Sequence, residues 1–108
     1  MVETWNGEDF EKRLEAVDQL AVVEFYTKDC PSCKTMAMIF DSIAKEWQED
    51  HREVRFAKVN VEHEERLLNR YRIRSVPTIL VFRRGKPVVE SVGNMGRGRL
   101  QELIRSAL

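Results

Sequence analysis

The chain has 108 residues, 43% of them apolar, enough for one domain spanning 1–108 with its own core and too few for two. No run approaches the roughly 20 apolar residues of a membrane span, and the acidic start from Met1 to Asp9 lacks an apolar signal core, so no membrane partner and a cytoplasmic location are expected. The formal charge is zero, yet residues 1–65 hold 8 Lys and Arg against 16 Asp and Glu, while residues 66–108 hold 10 against 2.

Asn6 is placed to cap a first helix carrying Phe10, Leu14 and Val17 at helical spacing, with a short strand near Val2–Thr4 as an optional leader. Leu20 to Tyr26 is nearly all apolar, the pattern of a central parallel strand covered on both faces. A polar turn, Thr27-Lys28-Asp29, leads to Cys30 and then to a long helix from Pro31 to about Asp50. Met36, Phe40, Ile43 and Trp47 form its inward stripe, and Pro31 suits a first helical position, where a missing N–H costs nothing. Val54–Val61 is a strand and Glu62 to about Tyr71 a short charged helix. Pro77 opens the next strand, Thr78–Phe82, and Arg83-Arg84-Gly85-Lys86 is a hairpin turn into Pro87–Val92. Gly93–Gly98 is a loop, and Leu100, Leu103, Ile104 and Leu108 mark a last amphipathic helix. This order predicts an α/β fold: a central mixed sheet of four to five strands flanked by helices on both faces.

The chain's two cysteines, Cys30 and Cys33, stand three apart at the head of the long helix. Residues at that spacing share a helix face with β-carbons roughly 5–6 Å apart, within the range a disulfide bridges without unfolding the chain. In a reducing compartment such a pair is catalytic or metal-binding rather than structural. His51 and His63 do not complete a zinc module at these spacings, so no metal is expected. The charge split has two readings: halves that neutralise each other within one fold, or a polar molecule that orients a charged partner. The arginines are scattered over several elements, and no nucleic-acid partner is expected.

Over essentially its whole length the chain resembles the thioredoxin family. The resemblance is carried by Val22-Val23-Glu24-Phe25-Tyr26, Cys30-Pro31-Ser32-Cys33-Lys34, Phe56-Ala57-Lys58-Val59-Asn60-Val61 and Tyr71-Arg72-Ile73-Arg74-Ser75-Val76-Pro77-Thr78, with turn glycines at Gly85 and Gly93. It implies a thioredoxin fold and thiol–disulfide exchange. Cys30, at the positive end of a helix, is the expected nucleophile, and Cys33, one turn inward, the residue that resolves the mixed disulfide.

Strand alternation puts Glu24 on one face with Leu20, Val22 and Tyr26, so its carboxyl is expected to be buried with a raised pKa. The resemblance implies that it accepts the proton of the second cysteine, and that Lys58 stands near it. It further implies a cis bond at Val76–Pro77 facing the cysteines, with Val76, Pro77 and Gly93 receiving an extended substrate. Several positions depart from the family pattern. Asp29 and Tyr26 replace tryptophans, Glu24 replaces an aspartate, Pro31-Ser32 replaces Gly-Pro, Ser75 replaces a glycine, and Asn94 adds polarity nearby.

The expected function is reduction of protein disulfides by a monomer with no bound cofactor, recharged by a reductase such as thioredoxin reductase. Two rivals remain open: a glutathione-linked enzyme of glutaredoxin type, and a binding module or adaptor on the same fold.

Overall fold

The structure is a computed structural model that describes residues 2–51 and 53–108. Its middle is β2 (Leu20–Tyr26), seven residues of which six are buried. Buried on both faces, it pairs in parallel with β3 (Val54–Asn60) on one side and antiparallel with β4 (Thr78–Arg83) on the other. Outside these lie β1 (Glu3–Trp5), parallel to β3, and β5 (Lys86–Val92), antiparallel to β4. Among the described residues the five strands make one sheet in the order β1-β3-β2-β4-β5.

Strand alternation divides the core into two halves. Ala21, Val23 and Phe25 of β2 meet Phe10 and Leu14 of α1 (Phe10–Glu15) and Leu67 of α3 (Glu65–Arg70). Leu20 and Val22 point the other way, onto Met36, Phe40, Ile43 and Trp47 of α2 (Pro31–Asp50) and Leu100 and Ile104 of α4 (Arg97–Ala107). That second face carries Glu24 under α2.

The local signals act largely as expected. Pro31 is the first residue of α2, and the expected stripe is its buried face. The β4–β5 hairpin turns through Arg84 and Gly85 at φ 50° and 83°, the two positive φ values a two-residue loop needs to match strand twist.

Asn6 departs from expectation. Its side-chain oxygen accepts the backbone N–H groups of Glu8 and Asp9 at 2.9 and 3.0 Å, closing a turn one step earlier, and α1 starts only at Phe10 behind Asp9. A short polar side chain next to free N–H groups competes with helix as readily as it caps one. Val17 lies beyond the end of α1 but joins the same core. The charged helix also begins later, at Glu65, because Glu62 is held in a turn by Asn60, whose side chain accepts its N–H at 2.9 Å.

Candidate active site

Cys30 is the N-cap of α2, in extended backbone with φ −120° and ψ 104°. Its Sγ accepts the N–H of Cys33 at 3.0 Å, satisfying one of the amides that a helix start leaves unpaired. The two cysteines are joined as a disulfide with α-carbons 5.1 Å apart. Both are buried, Cys30 at 8% exposure and Cys33 at 3%. The pattern of amides around Cys30 also favours negative charge there once the bridge opens.

The loop before β4 supplies the facing wall. The Val76–Pro77 bond is cis, and the carbonyl oxygen of Val76 lies 3.9 Å from the Sγ of Cys30. The Thr78 hydroxyl donates to the Ser75 carbonyl at 2.7 Å, and the N–H of Gly93 donates to the Pro77 carbonyl at 2.8 Å. Gly93 adopts φ +88°, a conformation that favours glycine, and no atom stands within 4 Å of where a β-carbon would sit. Backbone freedom, not lack of room, is the reason for glycine there.

Glu24 is 2% exposed, and its Oε2 has no hydrogen-bond partner among the described residues. Burial, reinforced by the negative charge of Asp41 and opposed by the positive charge of Lys58, pushes its carboxyl up to about 7. Glu24 and Cys33 line the same cavity of about 290 Å³, together with Lys58, Lys34, Tyr26 and Asn60. Lys58 is the register partner of Glu24 on β3, but its ammonium sits over the ring of Tyr26, 6.0 Å from the centroid. Alternation along two strands therefore brings acid and base to one cavity without closing them into an ion pair.

All seven residues singled out in the sequence thus fall in two clusters. Cys30, Val76, Pro77 and Gly93 form the outer one; Cys33, Glu24 and Lys58 form the inner one. Asp41 escaped the sequence reading. It follows Cys33 and Ala37, which line the cavity, at successive four-residue steps along α2, and its charge acts on Glu24 from outside the lining.

The family model for thioredoxin matches residues 1–106. The chain belongs to the thioredoxin family. It is 31% identical to a thioredoxin of Mycoplasmoides gallisepticum, over 86% of this chain and 89% of the relative. It is 28% identical to a thioredoxin of Rickettsia prowazekii over the full length of both. Thioredoxin Y, chloroplastic, from rice is 28% identical over 92% of this chain and 57% of its own length. As a thioredoxin family member with its two cysteines bridged at the head of α2, the chain is a thiol–disulfide oxidoreductase. Its partners in general terms are protein substrates and a reductase.

Proposed function

We propose that this chain, acting as one domain, reduces protein disulfides through Cys30 as nucleophile and Cys33 as resolving thiol. The observation that carries the reading is Cys30 itself: an N-cap sulfur that accepts an amide N–H beside the Val76 carbonyl of the cis-proline loop. The Cys30 thiolate attacks one sulfur of the substrate disulfide, and the other substrate sulfur leaves as a thiolate. Cys33 then loses its proton to the Glu24 carboxylate and attacks the Sγ of Cys30. The second substrate sulfur departs, the Cys30–Cys33 bond closes, and two electrons have passed to the substrate. Val76 and Gly93 flank the substrate backbone, and Lys58 tempers the charge on Glu24 from across the strand pair.

Electrons return through a reductase, which we take to be thioredoxin reductase in the cytoplasm, acting on a monomer without a bound cofactor. Among the described residues no helix is long and apolar enough to cross a membrane, which is compatible with that setting. Replacing Cys30 with serine is expected to abolish insulin reduction driven by dithiothreitol, and Cys33→Ser to accumulate mixed disulfides. Wild-type turnover in both variants overturns the proposal.

A further inference from the structure

Resting on the reductase reading above, we propose that the open face of β5 beside the cis-proline loop is a docking groove for substrates whose disulfide is flanked by an acidic, partly apolar segment. A hollow of about 660 Å³ lies there, more than twice the volume of the one beside Glu24. On this side of the sheet the helices cover the inner strands and stop short of β5. Glu90 and Val92 pair with Leu80 and Thr78 and share that uncovered face, and Val88, the extra residue at the bulge opposite Val81 and Phe82, lines the same hollow. Val88 is 50% exposed and Val92 58%.

The opposite wall is the end of α3 and the chain after it, which supply Arg70, Arg72 and Arg74. Arg70 stacks over Tyr71 and reaches Glu11 at 3.8 Å. Arg72 and Arg74 are exposed, and neither has an ion pair or a side-chain hydrogen bond among the described residues. Glu90 is the single acid in the lining, so the groove keeps an excess of positive charge.

Arg72 adds an independent observation. It sits at φ +54°, where a side chain is strained and glycine is not. The left-handed turn directs the chain after α3 along the groove, with the Arg72 side chain exposed in its wall.

The occupant follows from position and chemistry. Ser75 and Thr78 line the groove and flank Val76–Pro77, while Val92 leads into Gly93. A substrate strand alongside Val76 therefore continues over β5. Its carboxylates meet Arg72 and Arg74, and its apolar side chains cover Val88 and Val92. A polynucleotide fits less well, since Glu90 and the two valines sit where its phosphates would pass.

The test uses two disulfide-looped peptides that share a core and carry either an Asp/Val or a Lys/Val flank. Wild-type protein is expected to reduce the acidic one with at least tenfold higher kcat/KM at low salt, the ratio shrinking toward one at 1 M NaCl. Arg72→Glu/Arg74→Glu is expected to invert the preference. Lys45→Glu/Arg99→Glu, an equal charge change on the α2 and α4 side, is expected to keep it. Binding is read separately by amide shifts of the oxidised protein with a cysteine-free Asp/Val peptide, expected over Val88–Val92 and lost in the reversed variant. Equal ratios for both peptides while neutral hydroxyethyl disulfide is still turned over sink the groove and leave the reductase reading standing. No turnover of any disulfide sinks that reading and the substrate claim with it. Preferential binding of a single-stranded oligonucleotide over the acidic peptide also overturns the proposal.

Discussion

Glu24 is the residue whose environment most alters its chemistry. In the unfolded chain a glutamate ionises near 4.5; here burial holds the proton until about 7. Between those values Glu24 holds more proton in the folded chain than in the unfolded one, so its own contribution to stability falls as pH rises through the window. The stability lost is on the order of 3 kcal/mol, complete above pH 7 and absent below 4.5. Glu24→Gln is expected to be more stable than wild type by about 2–3 kcal/mol at pH 8 and nearly equal at pH 4. Urea unfolding of both oxidised proteins at the two pH values checks this, because carboxylates held low by partners, such as Glu3 and Glu11, titrate alike in both and cancel in the difference. A difference between variant and wild type no larger at pH 8 than at pH 4 would refute it. Alternation along β2 made the burial legible in the sequence. The part played by Asp41 was not, because a charge acting on a residue of another element leaves no mark in the period of its own helix.

At the scale of elements, ends carry more chemistry than middles. The start of α2 positions the Cys30 sulfur, and the end of α3 positions Arg72. There the N–H of Ile73 reaches the Leu68 carbonyl at 2.9 Å and the N–H of Arg72 reaches the Asn69 carbonyl at 3.4 Å. This is the Schellman arrangement, with arginine in the left-handed site that glycine usually fills. Arg72→Gly relieves a cost of about 1–2 kcal/mol in the folded chain. It also adds freedom worth roughly 0.5–1 kcal/mol to the unfolded one. A net gain near 0.5–1 kcal/mol is expected in denaturant melts. A loss of 1 kcal/mol or more would mean that the Arg72 side chain itself holds this turn together.

Element ends differ in how locally they are encoded. Pro31 and the Arg84-Gly85 turn are marked by residue type, because backbone restriction at proline and glycine is local. The starts of α1 and α3 are misplaced by about three residues because Asn6 and Asn60 bond to nearby amides in turns that resemble caps. Which of two such arrangements forms depends on packing several residues away.

Across the whole molecule, the charge split is used in two ways. Arg66 pairs with Glu11 at 2.8 Å and Arg97 pairs with Glu46, so part of the basic C-terminal region neutralises the acidic N-terminal one. Arg72 and Arg74 take no such partner among the described residues and stand together beside β5. The halves are also joined by packing. Phe10 meets Trp5, Phe25, Tyr71 and Phe82 with ring centroids 5.5–5.9 Å apart, tying α1 to the sheet and to the end of α3. Phe10→Ala removes a fully buried ring and is expected to cost about 3–5 kcal/mol. Against a typical total of about 5–15 kcal/mol, that shift should be plain in urea unfolding monitored at Trp5 and Trp47. A change below 1 kcal/mol would mean that the cluster collapses around the gap.

The order of elements, the inward stripe of α2, the buried acid on β2 and the paired cysteines follow from the sequence alone. Each is a matter of spacing along one strand or helix, where period 2 or 3.6 decides direction. Tertiary structure alone decided which remote residues meet: Val76 against Cys30, Lys58 over Tyr26 rather than paired with Glu24, and three arginines facing two valines across an uncovered strand. Those meetings depend on how far each helix reaches across the sheet, and a one-dimensional pattern does not contain that distance.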